Sequence, residues 1–358
     1  MKLTLVEETP PSGYERLIFA EDRESGLMSY ICIHSTVYGP AAGGCRMWPY
    51  ETRAQARTDV LRLAQGMTAK NALAGVELGG GKSVIIGDAR TVRSAALLRA
   101  FGRAVQSLKG MYYTAEDVGI SPADLRIVAE ETEFAVGLDG GEYGSGDPSP
   151  FTAEGVFQCM KVGAKDVFAS ADLKGRRVLL QGLGQVGMSL AEKLHKAGAD
   201  LIVSDLNEAA LEHASTHLGA KICPPDEIFD VPVDIFAPCA LGGVLTGGTA
   251  LRLSAKLICG AANNQLSDDS VAETLRAKGI RYLPDYVVNA GGIISVASEI
   301  HRAGDNYRQA RLKDIATRTQ EILAFSKETG TSTTKVAADL VGDILSDAKI
   351  ADRKALKL

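Results

Sequence analysis

Gly182-Leu183-Gly184-Gln185-Val186-Gly187 follows the apolar run Val178-Leu179-Leu180 and opens a helical pattern that ends at Gly198. The next apolar run, Leu201-Ile202-Val203, leads to Asp205, 23 residues after Gly182. A strand, a glycine turn of this spacing, a helix, a second strand and an acid make up the βαβ unit that cradles a dinucleotide. Gly182 permits the tight turn, Gly184 lets the backbone approach a pyrophosphate, and Gly187 allows close helix–strand packing. Leu183, Gln185 and Val186 complete the turn, and the helix they open offers free N–H groups to the anion. Asp205 accepts hydrogen bonds from a ribose and repels a 2′-phosphate, so NAD is expected over NADP. The competing reading is a glycine-rich turn with no ligand, in a chain that has 38 glycines.

Around this unit strand and helix patterns alternate: a helix to Leu218, then Asp234-Ile235-Phe236-Ala237 and Leu257-Ile258-Cys259. Such alternation implies a doubly wound, mainly parallel sheet. At 358 residues the chain is long enough for two domains. Upstream, Leu27 to His34 alternates as a strand, and Thr52-Arg53-Ala54-Gln55 opens a helix whose stripe of Ala56, Val60, Leu63 and Met67 delivers Lys70 at or just past its end. Gly75 to Gly81 reads as a glycine-rich loop, placing Lys82 at the junction with the strand Ser83-Val84-Ile85-Ile86. A helix over Val92–Leu108 and a strand from Met111 follow, the latter ending at Glu116-Asp117. Gly140 to Pro150 is dense in Gly, Pro and Ser and is the linker expected between domains 1–147 and 148–330. Helical patterns from Ile315 and from Val336 suggest that residues 331–358 return to the first domain.

A net charge of −5 without a cluster of lysines and arginines leaves no footprint for nucleic acid. The amino terminus turns acidic at Glu7-Glu8, too soon for a signal peptide, and no apolar run approaches the roughly 18 residues of a membrane span. A soluble, cytoplasmic protein is expected. Six scattered cysteines without a CxxC pair read as reduced, mostly buried thiols. His213 and His217 share a helix face at i,i+4, but the stretch is not HExxH and has no evident third ligand, so no metal is assigned.

Lys70 and Lys82 are lysines in apolar, glycine-rich settings, and Asp117 closes a strand of the same domain. Ordinary ion pairing is one reading. The other is chemical: a desolvated lysine near a second cation serves as a base at neutral pH, and the second lysine clamps a substrate carboxylate. Gly79-Gly80-Gly81-Lys82-Ser83 is no P-loop, because the pattern needs glycine at Val76 and a helix after the lysine, where a strand pattern follows.

Six runs, in order, resemble the signature segments of the glutamate, leucine, phenylalanine and valine dehydrogenase family, closest to its leucine, phenylalanine and valine branches. They are Gly43-Gly44-Cys45-Arg46-Met47, Met67-Thr68-Ala69-Lys70-Asn71-Ala72, Gly79 to Ile85, Thr114-Ala115-Glu116-Asp117-Val118-Gly119, Gly260 to Leu266 and Pro284 to Gly292. The likeness covers nearly the whole chain. It implies an N-terminal α/β substrate and oligomerisation domain, a C-terminal Rossmann NAD-binding domain, an active-site cleft between them that closes on the linker, and a homo-oligomer. By the same resemblance, Lys70 binds the substrate α-carboxylate, Lys82 is the catalytic base and Asp117 its acid/base partner. Asn264 falls near the carboxylate, while Asn263, Asn289 and Thr152 fall at the nicotinamide end of the cofactor. Gly43 and Gly44 border the substrate. Cys45 stands where threonine is frequent, and Ala69 where tyrosine is frequent.

Members acting on glutamate carry a lysine in the glycine segment before the arginine, whereas this chain reads Gly39-Pro40-Ala41-Ala42-Gly43-Gly44-Cys45-Arg46. A buried carboxylate without a cation is strongly penalised, so an apolar side chain is expected. By position, Ala42, Met67, Ala115, Ile293 and Val296 line its pocket. The resemblance thus implies NAD-dependent oxidative deamination of an L-amino acid of the leucine, valine or isoleucine type. Several branched-chain relatives carry a larger aliphatic residue at Ala42, so an aromatic substrate such as phenylalanine or tryptophan is the alternative. A size difference of one methylene discriminates by only ~1–3 kcal/mol. A catalytically silent NAD-binding homologue is the reading from another class, and intact Lys70, Lys82 and Asp117 speak against it.

Overall fold

The computed structural model describes residues 3–138, 140 and 144–355, and its contacts divide into two units. One comprises Met1–Asp147, Ser295–Tyr307 and Val341–Leu358; the other comprises Pro148–Ile294 and Arg308–Leu340. Residues 141–143 of the expected linker lie outside the described residues.

The first unit is built on β1 (Thr4–Glu8), β2 (Arg16–Asp22), β3 (Leu27–Ser35), β4 (Ala41–Trp48), α1 (Arg53–Ala74), β5 (Gly79–Ile86), α2 (Ala95–Gln106), β6 (Tyr112–Ala115) and α3 (Pro122–Ala129). Its six strands run in the order β1-β2-β3-β5-β4-β6, antiparallel from β1 through β5 and parallel across β5, β4 and β6. Alternation divides the apolar side chains between two faces. On one, Ile31, Ile33, Cys45, Met47 and Ile85 pack with Leu97, Phe101 and Val105 of α2. On the other, Phe19, Tyr30, Cys32 and Val84 pack with Ala56, Val60 and Ala64 of α1.

Helix α1 starts at Thr52, whose side chain accepts from the Gln55 N–H, and stops at Gly75, left-handed at φ 64°. The helix therefore runs past Lys70 to Ala74 and holds that lysine within its length. The structure also corrects the glycine-rich loop before Lys82. Gly79, Gly80 and Gly81 are paired strand residues, and Lys82 lies within β5 opposite Cys32. Their missing side chains serve close approach: a Cβ on Gly80 would overlap the Thr68 hydroxyl of α1. Asn71, fully buried, donates to the carbonyls of Ala42 (3.3 Å) and Gly79 (2.6 Å), tying α1 to both strands beneath it.

The second unit contains α4 (Ser149–Phe168), β7 (Arg177–Gln181), α5 (Gln185–Lys196), β8 (Asp200–Ser204), α6 (Glu208–Leu218), β9 (Lys221–Ile222), β10 (Ile235–Pro238), α7 (Gly247–Arg252), β11 (Leu257–Ile258), α8 (Ser270–Ala277), β12 (Arg281–Tyr282) and α9 (Asp285–Val288). Its strands are all parallel, in the order β12-β11-β10-β7-β8-β9. This is the doubly wound arrangement of two βαβ halves, with the strand order reversing between β7 and β10. Leu179, Phe236 and Ile258 pack with Leu245, Ala250, Val271 and Leu275 on one face. Helices α10 (Gly291–Ile300), α11 (Asp305–Thr329) and α12 (Thr333–Ala355) complete the chain, each divided between the units. Among the described residues no helix is long and apolar enough to cross a membrane.

Candidate active site

In the first unit the centre of the site is an ion pair between Lys82 Nζ and Asp117 Oδ2. Lys82 shares its face of β5 with Gly80 and Val84, the face that α1 covers, and is only 7% exposed. Asp117 follows β6 in a turn where its own Oδ1 accepts the Val118 N–H at 2.8 Å. Gly44 pairs with Ala115 of β6, and a Cβ on Gly44 would lie 2.9 Å from the Asp117 Cβ, so the carboxylate rests over a strand with no side chain there. Burial pushes the Asp117 carboxyl up, but the charges of Lys82 and Arg46 and the hydrogen bonds from Lys82 and Val118 outweigh it. The net effect holds Asp117 well below the usual carboxylate range.

The other expected residues lie on several elements: Ala42 and Gly43 on β4, Ala115 on β6, Met67 and Lys70 on α1, and Ile293 and Val296 on α10. Ala42 is fully buried in β4 and Ala115 nearly so in β6. A Cβ on Gly43 would lie 3.0 Å from Met67 Cγ of α1, which places Met67 against the glycine run. Lys70 is half-buried on α1 directly before Asn71, the residue that holds the Ala42 carbonyl. Ile293 and Val296 are both buried in α10.

The sequence reading assigned no role to Arg46, Asp59 or Tyr50, and the fold brings them to this centre. Arg46 Nη1 donates to Asp59 Oδ2 of α1 at 3.0 Å, while its Nη2 stands 3.6 Å from Asp117 Oδ2. Tyr50 donates to the same Asp59 oxygen at 2.7 Å. Arg46 was visible in the Gly43–Met47 run, but nothing in that run reveals its partners.

In the second unit the glycine turn joins β7 to α5. Gly182 is left-handed at φ 98°, its N–H donates to Ser204 O at 2.8 Å, and a Cβ there would lie 2.7 Å from the Ala240 nitrogen. A Cβ on Gly187 would overlap the Gly182 carbonyl oxygen. Asp205 Oδ2 accepts the Leu183 N–H and Oδ1 accepts the Asn207 N–H at 2.8 Å. The carboxylate thereby supports the turn and keeps lone pairs for further donors.

This end of the sheet fits a dinucleotide. Gly184 caps α5 with no side-chain hydrogen bond, and the space where its Cβ would stand is open, so the first N–H groups of Gln185 and Val186 face outward. Leu206, next to Asp205, and Leu241, next to Ala240, are the two most exposed large apolar residues described, at 89% and 84%. They offer apolar surface to a flat base on either side of the turn.

Of the residues expected at the nicotinamide end, Asn263 and Asn289 meet directly. Asn289 Nδ2 donates to Asn263 Oδ1 at 2.8 Å and to Ala261 O at 3.1 Å, and its buried Oδ1 has no partner. Asn264 is left-handed at φ 51° and accepts the Gly243 N–H at 2.7 Å. Thr152 sits in the first turn of α4, and a Cβ on Gly292, three residues past Asn289, would lie 3.1 Å from its hydroxyl. Asp285, also unassigned from sequence, accepts the Gln265 N–H at 2.8 Å and so fixes the loop bearing Asn263 and Asn264.

All six cysteines are free, and burial pushes Cys32, Cys45, Cys159 and Cys239 up to about 12. His213 and His217 lie on α6 with ring centroids 4.5 Å apart, and no cluster of three metal-ligating side chains occurs among the described residues.

A Rossmann sheet, together with a mixed-sheet unit that buries a lysine–aspartate pair, is the architecture of a nicotinamide-dependent dehydrogenase. Residues 15–134 match the model described as Glu/Leu/Phe/Val dehydrogenase, dimerisation domain, and residues 203–351 match that of glutamate/leucine/phenylalanine/valine dehydrogenase. Leucine dehydrogenase of Bacillus cereus is 45% identical over 354 residues, 99% of this chain and 95% of that protein. Phenylalanine dehydrogenase of Lysinibacillus sphaericus is 42% identical over 97% of this chain and 88% of its own length. The crystal structure of L-tryptophan dehydrogenase from Nostoc punctiforme superposes with a TM-score of 0.82 at 39% identity, covering 94% of this chain and 97% of that one. The chain belongs to the glutamate/leucine/phenylalanine/valine dehydrogenase family, whose members are amino-acid oxidoreductases that use a nicotinamide cofactor.

Proposed function

We propose that the protein catalyses the reversible, NAD-dependent oxidative deamination of an apolar L-amino acid of the leucine, valine or isoleucine type to its 2-oxo acid and ammonia. The observation that carries the reading is the buried Lys82–Asp117 pair on the α1-covered face of the sheet. Lys70 holds the substrate α-carboxylate. The Gly182–Gly187 turn, Asp205, Thr152, Asn263 and Asn289 would hold the dinucleotide, which when bound would supply the acceptor for the Cα hydride. Asp205 favours NAD, since a 2′-phosphate would meet its carboxylate. Lys82 takes a proton from the water that adds to the substrate iminium. Asp117 relays protons between oxygen and nitrogen of the resulting carbinolamine, and ammonia leaves as the oxo group forms. Ala42, Gly43, Gly44, Met67, Ala115 and Val296, all of the first unit, border the side-chain pocket.

Glutamate is disfavoured because Arg46, the one cation of strand β4, is engaged by Asp59 and Asp117. A second carboxylate on the substrate would lack a partner there. The enzyme is proposed to work as a cytoplasmic homo-oligomer assembled through its first unit, which carries the match to a dimerisation domain.

NADH formation from NAD with L-leucine, L-valine, L-isoleucine, L-phenylalanine, L-tryptophan and L-glutamate tests this directly. A branched-chain amino acid ranks first in kcat/KM, and Lys82→Ala removes activity by ~100-fold or more. Phenylalanine or tryptophan ranking first replaces the substrate assignment. NAD binding without turnover of any amino acid makes the protein a silent homologue.

A further inference from the structure

We propose that Arg46 is a positioning residue for this reaction, tethered by Asp59 so that its charge faces Asp117 without taking the oxygen that meets Lys82. The inference rests on the assignment of Lys82 and Asp117 above. Its basis is a difference between two distances on one guanidinium. Nη1 is 3.0 Å from Asp59 Oδ2, a hydrogen bond, while Nη2 is 3.6 Å from Asp117 Oδ2, beyond hydrogen-bond reach but within that of a strong charge interaction. Released from Asp59, the guanidinium would close on Asp117 in the forked geometry that arginine and carboxylate prefer. Lys82 would then compete for the same oxygen.

The tether is itself fixed. Asp59 Oδ2 also accepts from Tyr50 at 2.7 Å, and Asp59 Oδ1 accepts from Arg62 at 3.0 Å. Burial raises the Asp59 carboxyl, yet these hydrogen bonds and the charges of Arg46 and Arg62 bring it below its ordinary value, so the tether is an anion. Arg46, Asp59 and Asp117 each have side chains no more than 20% exposed, and solvent screens the triad only in part.

The groups facing Asp117 come from every element around it. Lys82 approaches from β5, Arg46 and Cys45 from β4, Tyr50 from the segment after β4, and Tyr112 from β6. Burial pushes Cys45, Tyr50 and Tyr112 up, which keeps all three neutral at working pH. Lys82 and Arg46 thus supply the positive charge, and they differ in kind. A lysine exchanges its proton, as its role requires; an arginine does not give up its proton in a protein. Arg46 is a constant charge beside a pair whose protons must move.

The test compares Arg46→Gln, Arg46→Lys and Asp59→Asn with the wild type in the pH dependence of kcat/KM for the best amino acid. The acid limb belongs to the Lys82–Asp117 pair as a unit. Arg46→Gln removes a neighbouring cation and moves that limb upward by about 1 pH unit or more. Arg46→Lys retains the charge and keeps the limb near the wild-type position. In Asp59→Asn an anion is lost and Arg46 swings onto Asp117, so the limb moves downward while kcat falls about tenfold. A merely structural role gives lower activity with no displacement in either direction, and that result overturns the proposal. Should Arg46→Gln fail to fold, wild-type kcat and limb in Asp59→Asn overturn it equally. The carboxyl ¹³C titration of Asp117, assigned by difference with Asp117→Asn, is read without turnover. If the wild type deaminates no amino acid, the functional reading fails, and the Arg46 proposal stands or falls on an upward displacement of this titration in Arg46→Gln.

Discussion

Replacing Asp117 by Asn removes one negative charge at nearly constant shape and leaves Lys82 buried without its partner. In the folded protein the Asp117 carboxyl is pushed up by burial, yet Lys82, Arg46 and two hydrogen bonds bring it from 3.8 to about 2. At 1.36 kcal/mol for each pH unit, that difference is worth about 2–3 kcal/mol of folding free energy at neutral pH. The folded value lies below the unfolded one. The contribution is therefore complete above about pH 4–5 and disappears as pH falls towards the folded value near 2. Urea unfolding of both proteins at pH 7 and equal protein concentration is expected to show Asp117→Asn less stable by about 2–3 kcal/mol, with the gap narrowing below about pH 4. In the same preparations kcat falls by ~100-fold or more, because a proton relay has been removed. Equal stability at pH 7, or a gap that stays constant down to pH 3, would refute the charge-pair account. Full activity in a stable variant would refute the chemical role.

Two further changes test the cofactor end. Asp205→Ser removes the repulsion of a 2′-phosphate and one acceptor for the Leu183 N–H; the ratio of kcat/KM with NADP to that with NAD rises by about tenfold or more, and an unchanged ratio would show that Asp205 does not face the ribose. Gly187→Ala forces a methyl group into the Gly182 carbonyl oxygen. NAD affinity, measured by fluorescence quenching or calorimetry, drops by about tenfold or more; full affinity would mean the turn can shift without cost.

How far each part could be read before the fold was known follows from the range of the interactions involved. The glycine turn was legible because its spacing is local: Gly182, Gly184, Gly187 and Asp205 lie within one βαβ unit, where a Cβ on Gly187 would overlap the Gly182 carbonyl oxygen and Asp205 accepts the Leu183 N–H. The doubly wound sheet was legible in the same way, through alternating apolar runs of three or more residues. Lys70 and Lys82 stood out as lysines in apolar, glycine-rich surroundings and Asp117 as the acid closing a strand, although three consecutive glycines read as a loop and proved to be strand. Glycine there answers to helix α1 passing overhead at Thr68, a contact between chain segments 12 residues apart that no local pattern announces.

The sequence by itself determined the class of chain: a Rossmann unit with an acidic residue at the ribose position, a glycine-flanked lysine in a second α/β unit, and motifs in the order of an amino-acid dehydrogenase. Only the tertiary structure decided which charges meet. Gly44 and Arg46 come beside Asp117 because β4 pairs in parallel with β6, and Asp59 reaches Arg46 because α1 crosses back over the sheet. A charge acts through space with a strength set by distance and burial, and both are properties of how strands and helices are packed. Residue types announce what chemistry is available, while the packing of β4, β5, β6 and α1 selects which lysine, which carboxylate and which arginine share it.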